Sequence, residues 1–178
     1  RLLFLSFILL PVVSVGQFAV FLFEALMHIN NTDNFGLKQG IWVSWRQGFG
    51  ELYPEVRLTC IARYLNDTLT GERICKYQNG LIAEVANFSN GKINGILDSY
   101  YPNGNLQSSF NHMNGVPNGS WYYYFDSGRI QLKETYINGY FDGERSCFHK
   151  NGQLIERSYY NKGMLTGKFQ QFDSIGKL

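Results

Sequence analysis

The stretch Gly95–Gly119, GILDSYYPNGNLQSSFNHMNGVPNG, is the unit from which most of the chain is copied. Its landmarks Gly95, Gly104 and Gly115 recur as Gly119, Gly128 and Gly139, and then as Gly143, Gly152 and Gly163. On the amino-terminal side they are Gly71, Gly80 and Gly91, and Gly167 and Gly176 open a further copy. The spacing of 9, 11 and 4 residues does not vary, so the period is 24 residues. A fixed period of this size marks a repeat array, in which each unit buries its apolar surface against its neighbours.

Each unit divides into two extended runs and two turns. In the quoted copy, Ile96–Tyr101 and Leu106–His112 are the runs, separated by Pro102-Asn103-Gly104 and followed by Asn114-Gly115. Asn-Gly suits a type I′ hairpin turn, which requires positive φ at both central residues. It recurs at Asn79-Gly80, Asn90-Gly91, Asn138-Gly139 and Asn151-Gly152, with Ser127-Gly128 and Lys162-Gly163 in equivalent places. Hairpins following hairpins give an antiparallel meander with no room for an ordinary helix. The Gly that opens each unit follows a small polar residue (Thr70, Asn94, Asn118, Asp142, Thr166). A glycine inside a strand marks a bulge or a bend.

Aromatic columns run between the glycines. Two residues after the opening Gly stand Leu97, Trp121 and Phe169, with Arg73 and Arg145 in the other units. Five after it stand Lys76, Tyr100, Tyr124, Phe148 and Phe172, and six after it Tyr77, Tyr101, Phe125 and His149. Seventeen after it stand Phe88, His112, Tyr136 and Tyr160, with Tyr64 in the irregular first unit. Side chains alternate faces along a strand, so both faces carry aromatic rows. Cross-strand pairs of this kind, at roughly 0.2–1 kcal/mol each, hold a single-layer sheet together. The rows are therefore the core, with one of them, Tyr100, Tyr124, Phe148 and Phe172, as the candidate lining of a solvent-facing groove. His112 and His149 stand where other units have Phe or Tyr, and read as aromatic substitutes.

The expected fold is all-β, an elongated single-layer antiparallel meander of β-hairpins. Residues 36–178 form the repeat domain, with an irregular first unit at 36–70, units opening at 71, 95, 119 and 143, and a partial unit from 167. Gly40 to Gly71 is seven residues longer than one period, and the excess falls near 47–57 (QGFGELYPEVR) as a longer hairpin or loop. Arg1 and the apolar run LLFLSFILLPVV, followed by Ser14-Val15-Gly16, have the form of a secretory signal over residues 1–16, or of a membrane anchor if uncleaved. Residues 17–35 are expected to cap the array. Export to the periplasm, envelope or medium follows from this segment.

The chain has 178 residues and a net charge of +2, with scattered basic residues that give no footprint for nucleic acid and no charge support for a membrane surface. Cys75 and Cys147 share a column but lie about 29 Å apart, beyond disulfide reach. Cys60 and Cys75 are close enough to pair as diagonal neighbours. No catalytic, metal or cofactor motif is present, and Glu72 and Glu144 share a column that Ile96, Ser120 and Lys168 fill elsewhere.

Asn90–Gly95 (NGKING) and its copies, together with the G-x-W-x-x-aromatic pattern at Gly40–Trp45 and Gly119–Tyr124, resemble the MORN-repeat superfamily in its variant form. That form includes YwqK-type antitoxin components. The resemblance implies a β-hairpin meander used for protein–protein association, with lipid contact for some members and no catalytic residues. Asp67 at a turn-glycine position, Pro117 and the insertion depart from the pattern. Three functions compete on this reading: a non-catalytic exported scaffold for another protein, an antitoxin-like component neutralising a toxin, and a glycan- or lipid-headgroup-binding module.

Overall fold

The computed structural model describes residues 29–47 and 57–173. The apolar segment before residue 29, the centre of the insertion and Gly176 lie outside the described residues. Among the described residues, fourteen strands form one antiparallel sheet. In chain order they are β1 Asn31–Thr32, β2 Lys38–Gln47, β3 Arg57–Leu65, β4 Thr68–Lys76 and β5 Ile82–Ser89. Next come β6 Lys92–Tyr100, β7 Leu106–Met113, β8 Val116–Tyr124, β9 Ile130–Ile137 and β10 Tyr140–Phe141. The last are β11 Gly143–Phe148, β12 Leu154–Asn161, β13 Met164–Leu165 and β14 Gln170–Gln171. Neighbours in sequence are neighbours in space from β1 to β9, and β10 with β11 takes the place of one long strand interrupted at Asp142. The expected hairpin meander is the fold.

The two turns of each unit are different devices. The second is a two-residue type I′ turn: Asn90, Asn114, Asn138 and Lys162 have φ of 47–52°, and each is followed by a positive-φ Gly. The first is not type I′, which corrects the reading of Asn79, Asn103, Ser127 and Asn151 as left-handed residues; none has positive φ. Here Tyr101 accepts from Gly104 N–H at 2.8 Å and donates to Asn105 O at 2.8 Å, closing a three-residue loop. Pro102 fixes the φ that the first central position of a type I turn needs, and Gly104 at φ +89° completes the bulge. The Asn103 side chain accepts from Asn105 N–H at 2.9 Å, locking the loop. Asp67, the non-glycine exception, takes φ +60° after Asn66 at +50° and makes the same turn.

The unit-opening glycines are bulges. Ala86 pairs with Leu97 and Phe88 with Ile93, so Asn94, Gly95 and Ile96 stand opposite Asn87 alone. Asn118, Gly119 and Ser120 likewise oppose Asn111, with Gly119 at φ +110°. Gly167 departs from this column: it lacks the positive φ of its counterparts, and the strand after it shrinks to Gln170–Gln171.

Each turn is tied to the unit beside it. At one edge the amide of Asn114 donates to Asn94 Oδ1 at 3.0 Å, Asn138 to Asn118 Oδ1 at 3.3 Å and Lys162 to Asp142 Oδ2 at 3.1 Å. This is the work of the small polar residue before the bulge glycine. At the other edge the Tyr77 hydroxyl donates to Tyr100 O, and the Tyr101 hydroxyl to Tyr124 O at 2.7 Å. At the amino-terminal end Thr32 pairs with Lys38 and Ile29 bridges Ile41, so the described part of the expected cap lies along the β2 edge. Gln47 pairs with Arg57, the last described partners of the β2–β3 ladder on that side.

Candidate functional site

Register sorts the side chains into two unlike faces. On the first, every bulge glycine lies directly across from the aromatic seventeen residues after a unit opening: Gly71 from Phe88, Gly95 from His112, Gly119 from Tyr136 and Gly143 from Tyr160. Gly40 and Tyr64 make the same pair in the irregular unit. What requires glycine there is the bulge backbone, at φ +69 to +110°; a Cβ on Gly95, Gly119 or Gly143 would meet Asn87, Asn111 or Thr135 on the other side rather than the ring. The residue two after the glycine then covers the ring. Trp121 lies 4.6 Å from Tyr136 and 4.3 Å from Phe110, and Phe141 bridges Tyr136 and Tyr160 at 5.4 and 4.3 Å. Where that residue is arginine the ring contact is cationic, with Arg73 over Phe88 at 4.7 Å.

This ring face holds the buried residues Leu58, Cys60, Ala62, Cys75, Glu84, Ala86, Ser108 and Ser158. Arg73 and Arg145 on this face are neutralised by glutamates. Arg73 pairs with Glu84, and Arg145 with Glu156 and, at 3.3 Å, with Glu134. Sequence reasoning missed these pairs. The signal was there: Glu stands thirteen residues after the opening Gly in the two units that carry Arg, and in those units alone Arg follows that Gly by two. Burial, with Glu134 next to it, pushes the Tyr136 phenol up to about 12. The free Cys147 thiol is also pushed up by burial, so it is held protonated rather than activated. A shallow cleft of about 330 Å³ lies beside it, lined by Tyr123, Leu132, Arg145, Cys147, Phe148 and Ile155 among others.

Cys60 and Cys75 are disulfide-bonded. They are direct cross-strand partners of β3 and β4 rather than diagonal neighbours, and both are buried.

The second face is open. Exposed apolar side chains collect on it by register: Ile41, Ile61, Ile82, Ile96, Met113, Val116, Ile130, Ile137, Tyr140 and Tyr159. Met113 pairs with Val116 and Ile137 with Tyr140 across successive turns, at 42–59% exposure. They form one strip, since a Cβ on Gly139 would come within 3.1 Å of the Val116 side chain.

The candidate aromatic row belongs to this open face at its other edge. Tyr100, Tyr124, Phe148 and Phe172 are each half-buried, not fully exposed. Tyr100 is opposite Leu106, Tyr124 opposite Ile130 and Phe148 opposite Leu154, so an aliphatic neighbour covers one side of each ring. Burial raises the pKa of Tyr100 and Tyr124, and the Asp98 carboxylate adds to the effect on both. Among the described residues no group of three or more His, Cys, Asp or Glu is placed to hold a metal ion.

A family model described as a MORN repeat variant matches residues 93–114, 117–138 and 141–162, three windows set 24 residues apart. No curated protein matches the chain.

Proposed function

With residues 93–162 forming three consecutive repeats of the MORN variant family, we propose that the chain is a non-catalytic, exported interaction module that presents its open face to another protein. The observation that carries this reading is the segregation of the faces. The ring face holds the aromatic ladder, the Arg73–Glu84 and Arg145–Glu156 ion pairs and most of the buried residues. Exposed Ile, Met, Val and Tyr side chains gather on the other face, where they contribute little to holding the sheet together. Contiguous exposed apolar surface of this kind is characteristic of association sites. Export is supported by the apolar segment before Gln17 and by the Cys60–Cys75 disulfide, a bond typical of oxidising compartments. The same bond weighs against a cytosolic antitoxin.

The test is capture of a discrete partner from an envelope fraction by the immobilised chain. A variant carrying Met113→Ser, Val116→Thr, Ile137→Thr and Tyr140→Ser should lose that partner while its melting temperature is preserved. Capture of nothing specific, or equal capture by the variant, counts against the module. Amino-terminal sequencing of the mature chain should begin at Gln17.

A further inference from the structure

Phe35, in the turn between β1 and β2, is 89% exposed, more than any other large apolar side chain among the described residues. Its turn has the geometry of the first turn of a unit. Asp33 N–H donates to Leu37 O at 2.9 Å and Gly36 N–H to Asp33 O at 3.0 Å, with Gly36 at φ +81°. Phe35 stands where the sibling turns have Asn79, Asn103, Ser127 and Asn151. The lock that Asn103 supplies to its own loop is here supplied by Asp33, whose Oδ1 accepts from the Phe35 and Leu37 amides at 2.9 and 3.0 Å. The turn therefore displays an aromatic side chain on a backbone that is already ordered, so little freedom is lost when the ring is buried in a partner.

The cleft beside Cys147 has the size and lining for such a ring. Its volume of about 330 Å³ is ample for a phenyl group, since an apolar cavity of about 150 Å³ holds benzene. Tyr123, Leu132, Phe148 and Ile155 give it apolar walls. The Arg145 guanidinium and the Cys147 thiol add the cationic and sulfur contacts that aromatic rings favour. Ring and cleft cannot meet within one chain. The strand order puts eight spacings between β2 and β11, roughly 38 Å along the sheet. The two also lie at opposite edges: the Phe35 turn adjoins Asn66-Asp67, where Lys38 N–H donates to Asp67 Oδ1 at 2.7 Å, and Phe148 leads into the turn at Asn151-Gly152.

The charges around them are opposite in sign. Asp33 and Asp67 accompany Phe35, against Lys38, whose Nζ lies over the Trp42 and Tyr64 rings at 4.8 and 5.0 Å. The Leu37 amide, with help from the Phe35 amide and the Gln39 side chain, holds the Asp33 carboxyl below the usual carboxylate range. Two residues beyond the cleft's Gln131 and Phe148 stand Arg129 and Lys150, on adjoining loops joined by donation from Arg129 Nη1 to Lys150 O at 3.1 Å. Asp126 is the acid that opposes them there.

We infer that Phe35 of one copy docks into the Tyr123–Leu132–Phe148–Ile155 cleft of a second copy, so that the chain associates head to tail. The contact is heterologous: each pair keeps one free ring and one free cleft, and assembly continues beyond the dimer. It uses surfaces apart from the strip of Met113, Val116, Ile137 and Tyr140 and does not depend on the reading of the open face.

Sedimentation velocity of the full chain tests this. The wild type should gain mass with concentration, whereas Phe35→Ser and Ile155→Asp should each stay monomeric with unchanged melting temperatures, since both side chains are exposed. An equimolar mixture of the two variants is the decisive sample. Phe35→Ser keeps its cleft and Ile155→Asp keeps its ring, so together they should form a 1:1 pair and nothing larger. A monomeric wild type, association that survives Phe35→Ser, or a mixture that stays monomeric overturns the docking. Phe35-dependent binding to phosphatidylcholine vesicles by a chain that remains monomeric overturns it in favour of a lipid surface.

Discussion

Gly119 stands directly across the β8–β9 ladder from Tyr136, and the Tyr136 ring packs 4.6 Å from that of Trp121. Glycine is required here twice over. Its φ of +110° is closed to side chains, and a Cβ would meet Asn111 Cβ at 3.1 Å. Gly119→Ala is expected to cost about 1–3 kcal/mol, the price of a strained backbone position. Tyr136→Phe keeps the ring and is expected to change stability little, while Tyr136→Leu loses about 0.5–1.5 kcal/mol of ring–ring contact on top of any lost area. Urea unfolding of the three variants checks both expectations, and an unperturbed Gly119→Ala would remove the bulge account.

The hydroxyl tie between turns is tested by addition as well as removal. Tyr101→Phe deletes the bond to Tyr124 O and should cost about 1 kcal/mol. Phe125 holds the same position one unit later without a hydroxyl. Phe125→Tyr places a donor where Phe148 O is the equivalent acceptor, so a gain of about 0.5–1 kcal/mol is expected. Thermal melts of both variants decide it, and a neutral or destabilising Phe125→Tyr would show that the tie is not transferable between units.

Glu144 links stability to pH. The Ser146 hydroxyl, with help from the Tyr159 hydroxyl and Arg157, holds its carboxyl below the usual carboxylate range. Because its folded value is depressed, its contribution is complete above the unfolded value and disappears as pH falls through the folded one. Wild type should therefore exceed Glu144→Gln in melting temperature at pH 7, with the gap narrowing towards pH 3. A gap independent of pH would mean that the carboxylate is not the stabilising species.

The disulfide acts on one end of the array. It closes a loop with a sequence separation of 15 between strands β3 and β4. Its removal by a paired Cys60→Ala and Cys75→Ala change should cost about 3 kcal/mol. Hydrogen exchange should accelerate in β2–β4 and remain unchanged in β11 and β12, because contacts in a solenoid are confined to neighbouring units. Uniform acceleration along the chain would indicate a single cooperative unit instead.

The glycine lattice made the strands, their order and the single-layer sheet legible before any coordinates, because glycine at a positive-φ site has few substitutes. The turn classes were not legible from the dipeptide alone. Asn-Gly serves both a two-residue type I′ turn, as at Asn114-Gly115, and the last two places of a three-residue loop, as at Asn103-Gly104, where only the glycine is left-handed. Pro102, incompatible with positive φ, was the clue to the second case. The face assignment was only half visible. The columns two and seventeen residues after the opening glycine form the ring ladder because the register brings them to one face, whereas Tyr100 and Tyr124, five after it, pair with aliphatic residues on the open face. The direct Cys60–Cys75 pairing was hidden by the β3–β4 turn, where Asn66-Asp67 lacks the marking glycine, and by the bulge that shifts the register of this ladder.

The most direct test of the account is to delete residues 95–118, one full period, so that Asn94 is joined to Gly119. If each unit is an interchangeable bulge, ring pair and pair of turns, the shortened chain folds cooperatively with unchanged circular dichroism per residue and a moderately lower melting temperature. A chain that fails to fold after this deletion, or one that tolerates removal of half a period equally well, would contradict the 24-residue unit on which the architecture rests.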